Sequence, residues 1–355
     1  MNILIDIGHP AHVYMFKNIV FDMQTRGHVF FFTVREGENE TVLLDKYNFN
    51  YQKIGSKRKG TVNKILGILI FSWRILKIAR KFKPDIFLSH GSMYAGYASF
   101  FIRKPHIALE DTGNMEQIRL SLPFSNVVLS PDVLPVSLGE KHIRYMGYHE
   151  LMYLIPKYFT PDPDVYSYLG LPEKTPYAIL RFISWEASHD IGETGFSLEN
   201  KRRLIGMLSE RLKVFISGER QLPEEFESFR INIPFEKMHD VLAFATIYVG
   251  EGATMASEAG ILGTPSIYVN SFRRSYNEDQ EKYGTVFNFT SQNGVFEKID
   301  EILSDPDIKE KHTILSNRLI KSKIDVTAFM VWFIENWPGS FKIMKDNPKY
   351  QERFR

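Results

Sequence analysis

Apolar residues in this chain gather into short runs that alternate with longer amphipathic stretches. Ile3 to Ile7 is the first run and predicts a buried strand. In GHPAHVYMFKNIVFDMQTRGH, Val13, Phe16, Ile19, Val20 and Met23 recur at helical spacing, and Gly27 supplies a stop. VFFFTV is a second apolar strand. A strand–loop–helix–strand unit of this kind opens a doubly wound α/β domain. TVLLDKYNF then reads as a helix and YQKIG as a strand. PDIFLSHGS predicts a strand ending in a small-residue turn, and YAGYASFFI the helix after it. HIALEDT repeats the pattern and ends in Glu110 and Asp111, while NVVLSPD and HIRYMGYHEL complete the series.

Five prolines (Pro156, Pro161, Pro163, Pro172, Pro176) then interrupt the pattern and predict a linker. A second alternating series follows: YAILRFIS, KVFISG, IYVGEG and PSIYVN as strands, with ENKRRLIGMLSERL, MHDVLAFA and MASEAGILG as helices. The remainder, including VTAFMVWFIENW, reads as helical. The expected organisation is an N-terminal domain over residues 1–160 and a second over 161–324, with helices of 325–355 packing back on the first.

Composition narrows the chemistry. The 355 residues are 44% hydrophobic and 24% charged with a net charge of +2, which is ordinary for a globular protein and gives no nucleic-acid signature. There is no cysteine, so disulfides, thiolate metal sites and cysteine nucleophiles are excluded, and a reducing, cytoplasmic location is expected. No basic and apolar leader precedes the first strand, and no apolar run approaches the ~18 residues of a membrane span.

Ligands of open α/β sheets bind at the carboxyl ends of strands, so the polar loops there carry the candidate chemistry. YVGEGATMASEAGILGTP (Tyr248 to Pro265) is a strand, a glycine turn and a helix. Glycine lets a phosphate approach the backbone, and the helix start adds unpaired N–H groups and partial positive charge. Thr254 and Ser257 offer hydroxyls, and Glu258 lies one helical turn further, within reach of a ribose. The plainer alternative is a packing turn with Thr254 as helix cap. This stretch resembles the nucleotide-sugar turn of GT-B glycosyltransferases and UDP-GlcNAc 2-epimerases. By that resemblance Gly252, Ala253 and Thr254 hold a diphosphate and Glu258 the ribose. Ala253 stands where those families often have a second glycine. The preceding INIPFEKMHDVLAFATIYVG resembles the Pro-aromatic pair and helix before that turn, which implies that Ile233 to Phe235 flank the nucleobase.

DIGHPAHVYMFKNI puts Gly8, His9, Pro10 and His12 at the end of the first strand. Imidazoles there serve as base or phosphate partner, or simply hold the loop. The pair has no further ligand cluster in the sequence, so no metal is expected. Of Glu110 and Asp111, one is expected to reach the ligand and act as acid or base, with Asp111 as a helix cap the alternative. In RFISWEASHDIG, Arg181 suits phosphate charge, and Ser184, Ser188 and His189 suit a sugar or diphosphate, the alternative being a helix cap. The D-I-x-H-P-x-H-V start, the RGH stop, TVRE and RFISWEASHDIG resemble domain-of-unknown-function family 354, placed in the GT-B superfamily, over nearly the whole chain. That resemblance implies an α/β fold of GT-B type, two doubly wound Rossmann-like domains facing each other across a cleft.

From Lys53 to Lys83 there are ten Lys or Arg residues and no Asp or Glu. Ile65, Leu66, Leu69, Trp73 and Leu76 form one apolar row, and Ile68, Phe71, Ile75 and Ile78 a second. A basic apolar helix can lie on an anionic membrane surface, whereas two apolar rows suit burial. The leading expectation is a glycosyltransferase that uses a nucleotide diphosphate-sugar donor and a lipid-linked or glycan acceptor, without cofactor or metal, in cell-surface polysaccharide or glycolipid synthesis. A nucleotide-sugar 2-epimerase and a non-catalytic nucleotide-sugar-binding protein are the alternatives.

Overall fold

The structure is a computed structural model that describes residues 1–56, 61–183, 195–218 and 222–355. It divides into two compact units, Met1–Tyr153 with Ile324–Arg355, and Leu154–Lys323. In the first, seven strands form one parallel sheet: β1 (Asn2–Ile7), β2 (Val29–Glu36), β3 (Tyr51–Ser56), β4 (Ile86–His90), β5 (His106–Leu109), β6 (Val127–Pro131) and β7 (His142–Tyr145). Their order is β3-β2-β1-β4-β5-β6-β7, so the winding reverses between β1 and β4. In the second unit β8 (Tyr177–Arg181), β9 (Lys213–Ser217), β10 (Ile247–Gly250), β11 (Ser266–Val269) and β12 (Val286–Phe289) take the order β12-β11-β10-β8-β9. Here the reversal lies between β8 and β10. These two switch points are where a doubly wound sheet opens a crevice at its carboxyl edge.

The strands are nearly continuous apolar runs because helices cover both faces of a parallel sheet. Ile3, Leu4, Ile5 and Ile7 of β1 are fully buried, as are Ile247, Tyr248 and Val249 of β10. The Pro10–Thr25 helix buries Val13, Phe16, Ile19, Val20 and Met23 against the first sheet, and Pro10 at its start fits a position with no N–H to satisfy. Asp325 caps the Val326–Glu335 helix through Ala328 N (2.9 Å), and Thr327 donates to the Met152 carbonyl, tying the C-terminal helices to the first unit.

The basic helix spans Thr61–Phe82, with Lys57, Arg58 and Lys59 outside the described residues. Its two apolar rows part company. Phe71, Ile75 and Ile78 are buried, whereas Leu66, Leu69 and Trp73 are 45%, 65% and 53% exposed. Lys77 sits over the Trp73 ring at 3.6 Å.

Candidate functional site

At the first switch point the ends of β1 and β4 open a cavity of about 250 Å³, lined among others by Asp6, Gly8, His12, Arg35, His90, Gly91, Ser92 and Glu110. Asp6 is buried and accepts from Thr33 Oγ1 (2.6 Å) and Ser92 Oγ (2.5 Å). Burial raises its pKa, and these bonds and Arg35 oppose the rise without cancelling it. His12 Nδ1 accepts from Gly8 N (3.3 Å), so the neutral ring carries its proton on Nε2 and presents a donor. Burial, with His90 and His9 nearby, holds His12 well below the ordinary histidine pKa.

Arg35 donates Nη2 to the Gly8 carbonyl (3.2 Å), lies over the Tyr94 ring at 5.5 Å, and keeps a buried Nε with no hydrogen-bond partner among the described residues. A Cβ at Gly8 would meet Arg35 Nη2 at 2.2 Å, so glycine there makes room for the guanidinium. Glu110 is buried, and its Oε1 accepts from Thr112 N (2.7 Å), Thr112 Oγ1 (2.5 Å) and Gly113 N (3.2 Å). Gly91 has φ +56°, and a Cβ there would stand 3.1 Å from Glu110 Oε2. Only glycine takes that backbone without strain while the carboxylate stays close.

Beside the cavity, Asp111 is clamped between two imidazoles. His90 Nε2 is 2.9 Å from its Oδ1, and His149 Nδ1 is 3.1 Å from its Oδ2. Burial would raise the Asp111 pKa, but the two histidines outweigh it and hold the carboxyl well below its usual range. Burial alone would lower the pKa of His90, and Asp111 reverses that into a net rise.

At the second switch point, Glu251 follows β10, the N-cap is Gly252, and the helix Ala253–Ile261 begins. Gly252, Ala253 and Thr254 stay partly accessible at its first turn. Arg181 ends β8 alongside them. A Cβ on Gly252 would lie 3.6 Å from Arg181 Cγ, and the guanidinium is steadied by Ser217 Oγ at 3.1 Å. A cationic side chain and a helix start therefore converge at one strand edge, an arrangement that favours an anion. Glu251 shapes the turn from below: its carboxylate accepts from Ile183 N (2.7 Å) and Phe196 N (2.8 Å).

Residues 1–282 match the family described as "Protein of unknown function (DUF354)". The chain belongs to the DUF354 family. No curated protein matches it. Among solved structures, a UDP-GlcNAc 2-epimerase from Neisseria meningitidis bound to UDP-GlcNAc is similar at TM-score 0.67 and 13% identity, covering 91% of this chain and 99% of that one. The S. aureus MnaA–UDP co-structure follows at TM-score 0.64 and 13% identity, with 90% and 94% covered. The spinosyn rhamnosyltransferase SpnG complexed with spinosyn aglycone gives TM-score 0.60 and 12% identity, with 95% and 100% covered. The DUF354 chain thus has the GT-B type of α/β fold, two doubly wound units shared with epimerases and glycosyltransferases.

Several expected roles change in this DUF354 structure. His9 is exposed and caps the Pro10–Thr25 helix by accepting from Ala11 N (3.2 Å), and it does not line the cavity. The cap of the Met115–Ser121 helix is Asn114, not Asp111, because Asp111 is taken up by the histidines. The cap at the glycine turn is Gly252 rather than Thr254. Ser257 is fully buried and accepts from Gln280 Nε2 (2.5 Å), so its hydroxyl supports the helix from within. Glu258 is buried with its Oε1 3.0 Å from His239 Nε2. Phe235 is half-buried in a short turn before the Met238–Phe244 helix. Ser184, Ser188 and His189 lie outside the described residues. Sequence reasoning marked the strand-end loop HGSMYAGYAS that holds His90 and Ser92 without assigning either a role, and it missed Asp6, Arg35 and His149. Asp6 and Arg35 sit at strand ends and were findable by that rule, whereas His149 comes four residues after β7 with no pattern to mark it.

Proposed function

We propose that the chain binds a nucleotide diphosphate-sugar at the Gly252–Glu258 turn and acts as a glycosyltransferase, with the first unit carrying the candidate acid–base groups. The observation that carries this reading is Arg181 beside the start of the Ala253–Ile261 helix, at a topological switch point. Helix N–H groups and a guanidinium fixed by Ser217 would stabilise the negative charge of a departing diphosphate without needing to reorganise. Phe235 would border the base, and the Glu258 carboxylate, one helical turn beyond Thr254, would take the ribose. In the first unit, Glu110 is the acid–base candidate, since three donors fix Oε1 and leave Oε2 toward Gly91. His12 donates through Nε2–H, and Arg35 offers Nε to an anionic acceptor group.

A 2-epimerase is the second reading, supported by the density of proton-exchanging groups in the cavity: Asp6, His12, His90 and Glu110. Release of free nucleoside diphosphate only when acceptor is present supports transfer. Interconversion of two nucleotide-sugars without acceptor supports epimerisation. A melting-temperature rise with no turnover leaves a binding protein.

The acceptor class follows from the Thr61–Phe82 helix. Its exposed Leu66, Leu69 and Trp73, with cations among them, suit an anionic lipid surface and hence a lipid-linked acceptor in glycolipid or cell-surface polysaccharide synthesis. Among the described residues no helix is long and apolar enough to cross a membrane, so such contact would be peripheral.

A further inference from the structure

We infer that His90, Asp111 and His149 form a binding site for a divalent first-row transition ion of the zinc class. Their ligand atoms lie within 4.8 Å of one another, and all three side chains are largely buried, at 12%, 16% and 8% exposed. The two nitrogen–oxygen separations are 2.9 and 3.1 Å. Ligands at bond lengths of ~2.1 Å stand about 3.0 Å apart at right angles and about 3.4 Å apart in a tetrahedron, so each carboxylate oxygen, Oδ1 facing His90 and Oδ2 facing His149, already lies near ligand-to-ligand distance from its imidazole. Two imidazoles and one carboxylate are a set that first-row divalent ions accept with positions left open.

A hydrogen-bonded relay is the rival account of the same distances, and the crowding of the rings weighs against it. The His12 ring lies 4.6 Å from His90, and His90 lies 5.1 Å from His149, so three imidazoles gather around one buried carboxylate. The scaffold is rigid enough for a site, since His90 ends β4 while Asp111 and His149 follow β5 and β7 of one sheet. His90 also lines the cavity, so an ion here would lie at its edge, near enough to draw in an anionic oxygen. The inference does not depend on the sugar-nucleotide reading: that reading puts the nucleotide at the Gly252–Glu258 turn, and although its acid–base candidates line the same cavity as His90, ion binding is measured without nucleotide or turnover.

The test is titration of the chelator-treated full chain with Zn²⁺ by calorimetry, with Co²⁺ absorption and imidazole ¹⁵N spectra in parallel. One ion per chain is expected, with perturbed ring nitrogens at His90 and His149. His149→Gln and Asp111→Asn should each weaken binding by ~10²-fold or more, at least the loss seen when even a supporting partner is removed. His9→Gln, at an exposed cap, should leave binding unchanged. If the variants fail to fold, the nitrogen spectra of the unaltered chain decide. No saturable uptake at millimolar Zn²⁺, uptake that both variants retain, or unmoved His90 and His149 signals would overturn the assignment in favour of the relay.

Discussion

Two glycines two residues apart should respond in opposite ways to the same added methyl group. At Gly250 a Cβ would stand 2.4 Å from Tyr248 Oη and 2.9 Å from Arg181 Cβ. Tyr248 is fully buried, so its ring has no open space to retreat into. Overpacking of this kind costs about 1–3 kcal/mol, which for a unit of this size lowers the melting temperature by about 2–12 °C. At Gly252 the nearest atom to a new Cβ is 3.6 Å away, an ordinary contact, so Gly252→Ala should change stability by less than about 1 kcal/mol. Its methyl would instead stand where a diphosphate meets the helix start, and affinity for UDP should drop about tenfold or more. Thermal and urea unfolding with UDP calorimetry read both effects. Gly250→Ala at full stability would refute the packing argument. Gly252→Ala with unchanged UDP affinity would refute the donor turn.

Glu258→Gln should keep the His239 contact and the fold while weakening nucleotide-sugar binding by about 1–2 kcal/mol, whereas Glu258→Ala also removes a buried hydrogen bond to His239 and lowers stability by about 1–3 kcal/mol. Equal calorimetric affinity for Glu258→Gln and the unaltered chain would remove Glu258 from the ribose role. His106 is fully buried between Ser89 Oγ and Ser125 Oγ, and burial pushes its pKa from 6.5 down to about 3. The folded state therefore binds fewer protons than the unfolded one, so the stability present above pH 6.5 is lost as pH falls toward 3, by about 2 kcal/mol at pH 5. Urea unfolding across that range should show the slope and His106→Gln should flatten it; an equal slope in both would remove His106 as its source. Glu110→Gln should cut turnover by ~10²-fold with little change in melting temperature, and a parallel loss of both would make the residue structural. Vesicles containing anionic lipid should sediment the protein at low salt, and Leu69→Ser with Trp73→Ser should abolish this; recovery in the supernatant whatever the lipid would refute membrane contact.

What was legible in the sequence was periodicity. Apolar runs such as Ile3–Ile7, broken only by Asp6, and Ile247–Val249 announce buried parallel strands, because helices on both sheet faces put nearly every position out of water. Switch-point chemistry was half legible for the same reason, since a strand end is visible in one dimension. Gly252 and Arg181 are candidates on that ground, and their approach to one another is a tertiary fact the sequence could only hint at. What the sequence hides is the partner of each polar group: in a helix start or core, His9, Ser257 and Asp111 each meet whatever lies opposite them. The groups opposite these three were Ala11 N, Gln280 and a pair of histidines, one of them His149 beyond β7.

That competition bears on how far fold likeness reaches. Relatives at 12–13% identity share the winding of the sheets, which depends on apolar patterning and tolerates wholesale replacement of side chains. Chemistry depends on the few groups left unclaimed after packing is satisfied. In the first unit Arg35 Nε and His149 Nε2 are two such atoms near the carboxyl edge of the sheet, buried without a hydrogen-bond partner among the described residues. Burying an unpaired polar atom costs stability, which a ligand could offset. A site that draws its donors and acceptors from such leftovers should lose activity on their replacement while its sheet keeps its stability. Arg35→Gln tests this: among the described residues it gives up the Nη2 bond to the Gly8 carbonyl and the contact over the Tyr94 ring. An unchanged melting temperature with a raised acceptor KM would place Arg35 on the ligand. A melting temperature lowered in step with activity would return it to the scaffold.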